Sequence, residues 1–151
     1  MARAVRESIV LDADPERVWD TVMDPARLEL WVTTHDSLEG DAPSPLDAGD
    51  QFTQKLRLAG KSFKVRWRVL EAERPRRARW EGEGPAGSTA EVEYRLAAED
   101  GGTRFDYENR FALPGGVLGK AAGGLLAAAP GSREARRSLE RLRSLLERDE
   151  R

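Results

Sequence analysis

The chain has 151 residues, of which 39% are hydrophobic and 34% are charged, and its formal net charge at pH 7 is −2. This hydrophobic content with so little net charge argues against a disordered chain and predicts a single globular domain over residues 1–151. The chain has no cysteine and one histidine, which excludes disulfides, thiolate metal sites, cysteine nucleophiles and sites built from several histidines. We therefore expect no metal ion and no cofactor.

The N-terminal part is predicted to form one strand and two short helices. Residues 4–12 contain a run of apolar residues that is typical of a strand. Asp14 and Asp24 are each followed by proline, a pattern typical of a helix start, because aspartate caps free backbone N–H groups and proline suits the first helical position. The second of these helices carries Trp31 on its apolar side.

Five segments between residues 51 and 111 alternate between apolar and polar residues and are separated by turn residues. Such an alternation predicts antiparallel strands with one face in the core and the other in water. Residues 32–50, which precede these segments, are predicted to be a loop. The predicted inner face of the strands comprises Phe52, Gln54, Leu56, Leu58, Phe63, Val65, Trp67, Val69, Ala78, Trp80, Ala90, Val92, Tyr94, Leu96, Phe105, Tyr107, Asn109 and Phe111.

Charge is distributed unevenly along the chain. Between Arg27 and Lys55 there are six acidic residues and no basic ones, whereas residues 55–79 hold ten basic and two acidic residues. One hypothesis is a face that binds nucleic acid or an anionic membrane. The alternative is a solvated face that is partly ion-paired, with Glu91 and Glu93 as partners of Arg77 and Arg79. The cations of the first hypothesis are Lys55, Arg57, Lys64, Arg66 and Arg68.

The C-terminal part is predicted to be helical, with two apolar stripes on either side of Pro130, where a kink or break is expected. In the first stripe, glycines at positions 115, 119 and 123 share one helical face. They favour either a mobile segment that gates a cavity or close packing against the sheet.

The start of the chain lacks the apolar core of a signal peptide. The least polar stretch, residues 112–129, contains Pro114, Lys120 and several glycines, so it is poorly suited to span a membrane. We expect a cytoplasmic protein of bacterial type.

Three segments resemble the START-like (SRPBCC) superfamily in its polyketide cyclase/dehydrase-like branch: SIVLDADPERVW (8–19), DPARLELW (24–31) and RSLERLRSLLE (137–147). The resemblance covers nearly the whole chain and implies an α+β helix-grip fold. In this fold a curved seven-stranded antiparallel sheet wraps around a long C-terminal helix, and two short helices lie between the first two strands. An apolar cavity between sheet and helix binds lipids, sterols, polyketides or other apolar molecules, and a minority of members catalyse cyclisation or dehydration there.

The principal functional hypothesis is therefore binding of a small hydrophobic ligand in this cavity. The first alternative is a cyclase or dehydratase acting in the same cavity, with His35, Tyr94 or Tyr107 as candidate catalytic groups. The second alternative is the macromolecule-binding face described above. The candidate ligand-binding residues are Trp31, His35, Gln54, Leu56, Val65, Trp67, Trp80, Tyr94, Tyr107, Asn109, Leu118, Ala122 and Leu125.

Overall fold

The structure is a computed structural model that describes residues 2–113 and 131–149. Seven strands form one antiparallel sheet in the order β1-β7-β6-β5-β4-β3-β2. Consecutive strands from β2 to β7 are neighbours in the sheet. β1 pairs with β7 and forms the edge opposite β2. The strands are β1 (Ala2–Leu11), β2 (His35–Glu39), β3 (Gln51–Leu58), β4 (Lys61–Glu73), β5 (Arg77–Glu83), β6 (Thr89–Glu99) and β7 (Gly102–Ala112).

Two short helices, α1 (Pro15–Val22) and α2 (Leu28–Trp31), lie between the first two strands, as predicted. The expected caps are present. The Asp14 carboxylate accepts a hydrogen bond from the Arg17 backbone N–H at 2.9 Å, and the Asp24 carboxylate accepts one from the Ala26 N–H at 3.0 Å. These bonds satisfy donors that a helix start leaves free, so the two Asp–Pro pairs fix where the chain turns towards the sheet.

The C-terminal helix α3 (Ser132–Asp149) packs on the sheet through a buried stripe that includes Leu139, Leu142 and Leu146. Together with the curled sheet it forms the helix-grip arrangement that the resemblance implied, so the predicted fold class is confirmed. The predicted first half of this helix, with Leu118, Ala122 and Leu125, lies outside the described residues. None of the helices within the described ranges is long and apolar enough to cross a lipid bilayer.

The prediction of a loop over residues 32–50 is wrong for its first part, because β2 pairs with β3 at the edge of the sheet. This strand lacks apolar alternation, as is common for edge strands, where polar and charged residues discourage pairing with other chains. Its acids also have partners. Asp36 lies 3.8 Å from Arg57, and Glu39 lies 2.7 Å from Lys64. The acidic segment and the basic strands of the sequence are thus neighbours that partly neutralise each other.

One glycine makes room for the largest side chain of β4. Gly82 lies directly opposite Trp67 in the β4–β5 register. A Cβ atom at position 82 would lie 2.7 Å from Cε3 of the Trp67 indole and 2.8 Å from Cγ1 of Val65. Such distances are shorter than van der Waals contact, so the indole occupies the space that a side chain at position 82 would need.

We therefore predict that Gly82→Ala lowers the free energy of unfolding by about 1–3 kcal/mol, as overpacking in a core does. Chemical denaturation of the single variants Gly82→Ala and Trp67→Leu and of the double variant measures this cost in both backgrounds. Part of the cost should disappear in the Trp67→Leu background, because the two positions are in contact, whereas the clash with Val65 remains. An equal cost in both backgrounds would show that the indole is not what position 82 accommodates.

Candidate functional site

A cavity lies between the concave face of the sheet and the beginning of α3. Side chains from β1, from β3 to β7, from α2 and the segment that follows it, and from α3 form its wall. Its volume of about 70 Å³ is sufficient for about two water molecules. It is therefore a small, well-defined space in the core.

Most of the candidate ligand-binding residues lie in this wall, whereas His35 and Val65 do not. The predicted residues in the wall are Trp31, Gln54, Leu56, Trp67, Trp80, Tyr94, Tyr107 and Asn109. The wall residues that were not candidates are Val5, Leu28, Val32, Thr33, Thr34, Val92, Gly131, Glu134, Ala135, Ser138 and Leu139. Alternation had placed Val92 on the inner face and helical spacing had placed Ala135 and Leu139 on the buried stripe, but neither pattern showed which buried residues border a cavity.

Aromatic rings form the deep part of the wall, with Tyr94 at their centre. The Tyr94 ring centroid lies 5.1 Å from that of Trp80 and 6.0 Å from that of Tyr107. Trp31, which comes from α2, lies 6.3 Å from Tyr94. These separations and the tilted or edge-on angles are those that aromatic pairs prefer. The rings thus hold one another in place around the cavity.

A chain of hydrogen bonds connects the wall to the histidine behind it. Trp67 Nε1 donates to Gln54 Oε1 at 2.9 Å, and Gln54 Nε2 lies 2.8 Å from His35 Nδ1. An indole nitrogen can only donate, so it fixes which end of the Gln54 amide faces it. The other end is an NH₂ group, which can only donate, and His35 Nδ1 must therefore accept.

This arrangement fixes the protonation state of His35. If Nδ1 accepts, the neutral ring carries its proton on Nε2. Burial lowers the pKa of His35 from its ordinary value, while the carboxylates of Glu29 and Asp36 oppose this effect. Protonation would also place an N–H on Nδ1 against the Gln54 NH₂ group. The structure therefore stabilises a neutral histidine that does not border the cavity.

The two tyrosines of the wall also remain uncharged. Burial raises the pKa of Tyr94 well above its ordinary value, and burial likewise raises the pKa of Tyr107. A phenol with a raised pKa keeps its proton at neutral pH and is a poor general base. Both hydroxyl groups are thus suited to hydrogen bonding, and the deep part of the wall carries no charge at neutral pH.

Several polar atoms of the wall have no hydrogen-bond partner. Nε1 of Trp31, Nε1 of Trp80 and Oδ1 of Asn109 are buried and unpaired. The same Asn109 side chain donates from Nδ2 to the Tyr107 hydroxyl at 3.1 Å. Buried polar atoms are nearly always paired, so three unpaired atoms on residues of one wall call for an explanation.

The side of the cavity formed by α3 is more polar. The Thr33 backbone N–H donates to Ser138 Oγ at 3.0 Å and connects the segment after α2 to α3. Glu134 accepts a hydrogen bond from the Gly131 backbone N–H at 3.2 Å at the start of the helix. Hydroxyl groups and one carboxylate therefore border this side, whereas aromatic rings border the other.

Ion pairs partly neutralise the charged outer face of the sheet, and they include three of the five cations considered for macromolecule binding. Lys64 pairs with Glu39, Arg57 with Asp36, and Arg66 with Glu83 at 2.9 Å. The pairs considered in the sequence also form. Arg77 lies 3.5 Å from Glu93, and Arg79 lies 3.9 Å from Glu91. These contacts reduce the excess positive charge that residues 55–79 show in the sequence.

Comparison with known proteins agrees with this architecture. The model of the family described as polyketide cyclase / dehydrase and lipid transport matches residues 2–147. Among curated proteins, none matches the sequence.

Three solved structures illustrate the similarity. A conserved protein from Geobacillus kaustophilus superimposes with a TM-score of 0.68 at 20% identity, covering 97% of this chain and 96% of that one. Ara h 8.0201 gives a TM-score of 0.63 at 12% identity, with 96% and 97% covered. DynU16, from the dynemicin biosynthetic locus, gives 0.62 at 21% identity, with 95% of this chain and 47% of that one covered. At these identities the similarity shows a shared fold.

The protonation state of the histidine can be tested directly, because the chain has a single histidine. We predict that NMR titration gives a pKa below the ordinary value of about 6.5 and that Nε2 is the protonated nitrogen of the neutral ring. Below that ordinary value the unfolded chain takes up the proton more readily than the folded one. The free energy of unfolding should therefore fall as the pH decreases from about 7.5 to about 5.

His35→Gln is the matched control, because glutamine can still accept from Gln54 but does not titrate. Its free energy of unfolding should depend less on pH over the same range. A pKa above the ordinary value, or a proton on Nδ1 in the neutral ring, would contradict the orientation of the Gln54 amide.

Proposed function

Since the chain belongs to the polyketide cyclase / dehydrase and lipid transport family, with residues 2–147 matched, we propose that it binds a small, mostly apolar molecule in the cavity between sheet and α3. The observation that carries the proposal is the wall itself. Aromatic rings from α2, β5, β6 and β7 border one space, and polar atoms without partners lie among them. An apolar concave surface with a few polar groups is typical of small-molecule sites.

The cyclase or dehydratase alternative receives less support from the candidate groups. His35 does not border the cavity, and its Nδ1 is engaged by Gln54. The raised pKa values of Tyr94 and Tyr107 make these phenols weak acids and keep them from serving as bases. Binding needs none of these groups to transfer a proton.

The macromolecule-binding alternative is weakened by the ion pairs on the outer face. A patch that binds nucleic acid gains affinity by pairing free cations with phosphates. Lys64, Arg57 and Arg66 already have carboxylate partners among the described residues. A phosphate would have to displace these partners.

The proposal predicts that toluene, a neutral one-ring hydrocarbon, binds at this site, which has to widen between the sheet and α3 to admit it, because a cavity that binds benzene measures about 150 Å³. Trp31, Trp67 and Trp80 are in the wall, so the tryptophan fluorescence and the indole NMR signals report its binding. Ala135 is a buried wall residue on α3, and Ala135→Phe should fill the cavity and weaken toluene binding by about tenfold or more. Ala135 is a better site for this substitution than one of the buried aromatic residues, because replacing alanine by a larger residue removes no existing packing contact.

Ala97→Phe is the matched control, because it adds the same ring at an exposed position of β6 and should leave toluene affinity unchanged. Thermal unfolding of both variants shows that they are folded. Equal toluene affinity in folded Ala135→Phe and in the unmodified protein would exclude this cavity as the site.

A further inference from the structure

On the basis of the proposed function, we infer that a ligand enters the cavity between the segment that follows α2 and the beginning of α3, and that the contact between Thr33 and Ser138 holds this entrance closed. A hydrogen-bonded pair of lining residues lies at the partly exposed end of the cavity, and this juxtaposition carries the inference. The structure is then the closed state of a site that opens before it binds.

The closed cavity is too small for an aromatic ring. Its volume of about 70 Å³ compares with about 150 Å³ for a protein cavity that binds benzene. Backbone hydrogen bonds between neighbouring strands hold the sheet side of the wall in place. In contrast, α3 has no backbone hydrogen bond to the sheet among the described residues. The helix is therefore the side that moves when the site widens.

The exposed end of the cavity includes the segment after α2 and the start of α3. Trp31 and Leu139, which line the interior, have 1% and 2% of their surface exposed. Glu134, which precedes Ser138 by about one turn of α3, is partly exposed. The lining residues with intermediate exposure are Val32, Thr33, Thr34, Leu56, Tyr107, Asn109 and Glu134. Three of them are consecutive residues after α2, so solvent reaches this end of the cavity first.

The contact between Thr33 and Ser138 joins the two sides of this end. The Thr33 backbone N–H donates to Ser138 Oγ at 3.0 Å, and the two side-chain hydroxyl oxygens lie 3.3 Å apart. Both residues line the cavity, and Ser138 has 8% of its surface exposed. Because little of Ser138 reaches water, breaking these bonds leaves its hydroxyl poorly hydrated. The segment after α2 and α3 cannot separate here without that cost.

The second half of α3 is anchored, so the helix opens at its beginning. Leu146 has 1% of its surface exposed, and its backbone carbonyl accepts a hydrogen bond from Arg17 of α1. Arg141 donates to a backbone carbonyl of α2 at 3.3 Å. The lining residues of α3 all lie in its first half. Widening the cavity is therefore a tilt of the helix about its second half, and the Thr33–Ser138 contact opposes this tilt.

An ion pair also connects the first half of α3 to β1. Arg136 Nε lies 3.0 Å from a carboxylate oxygen of Glu7. The Arg136 side chain is 70% exposed, and exposed ion pairs contribute little to stability. Neither residue lines the cavity. The Thr33–Ser138 contact is the one that a molecule entering the cavity from this end has to break.

A reversible cross-link tests the entrance, because the chain contains no cysteine that could form other disulfides. The double variant Thr33→Cys/Ser138→Cys places two thiols where the hydroxyl oxygens are 3.3 Å apart, so a small adjustment of the side chains allows an S–S bond of about 2.0 Å. We expect toluene to associate at least about tenfold more slowly with the oxidised than with the reduced form. Stopped-flow tryptophan fluorescence gives the rate constants, and the reduced form is the matched control.

Weakening the contact should have the opposite effect. Ser138→Ala removes the acceptor, and toluene affinity should increase about three- to tenfold, because the lost hydrogen bonds stabilise only the closed state. Ser138→Cys should also increase affinity, since a thiol is a weak acceptor but leaves no empty space behind. Ser144→Ala is the control, because Ser144 is an exposed residue of α3 outside the wall, and it should leave affinity unchanged.

The outcomes distinguish the entrance from the site. Toluene binding to the unmodified protein, with equal association rates in the oxidised and reduced double variant, would overturn the entrance and leave the proposed function in place. A gain in affinity for Ser138→Ala but not for Ser138→Cys would assign the effect to the space left by the hydroxyl group and would also overturn it. If toluene does not bind to the unmodified protein, the proposed function fails, and the entrance fails with it. The single variants need no disulfide, so they remain decisive if the double variant does not cross-link.

Discussion

The packing of rings around Tyr94 is the interaction on which the rest of the site depends. Tyr94 comes from β6 and packs against side chains from α2, β5 and β7. β5 and β7 are the neighbours of β6 in the sheet, whereas α2 is distant in sequence, so the contact between Trp31 and Tyr94 fixes how closely α2 approaches the sheet. The cavity is the space that these rings leave beneath α3. Its wall is therefore also part of the hydrophobic core, and a change to the wall affects both binding and stability.

The polar atoms in this core fall into two groups with different consequences. The chain from Trp67 through Gln54 to His35 is internally satisfied, and each bond determines the donor and acceptor roles of the next. Such a network rigidifies the part of the protein that contains it. The buried Nε1 atoms of Trp31 and Trp80 have no hydrogen-bond partner. The wall thus combines a hydrogen-bonded chain that is fully paired with buried polar atoms that are not.

Local patterns in the sequence were sufficient for much of the fold and for part of the wall. Alternation assigned Gln54, Trp80 and Tyr107 to the inner face, because strand geometry alone determines which side chains point inward. It missed β2, whose residues are polar because the strand lies at the sheet edge. It also gave His35 no reliable position, since its environment depends on the pairing of β2 with β3. The roles of Thr33 and Glu134 depend on how α3 sits against the segment after α2, and no local pattern contains that information.

The close fit of Gly82 and Trp67 restricts how this protein can change by single substitutions. A side chain at position 82 conflicts with the indole and with Val65, so a lineage that retains the tryptophan loses stability when glycine is replaced there. The reverse order costs less, because a smaller residue at position 67 first removes one of the two side chains that a Cβ at position 82 would meet. The two sites should therefore covary among relatives, with bulk at one position accompanied by its absence at the other. The direction of this dependence sets the order of mutations by which the wall of the cavity can be remodelled.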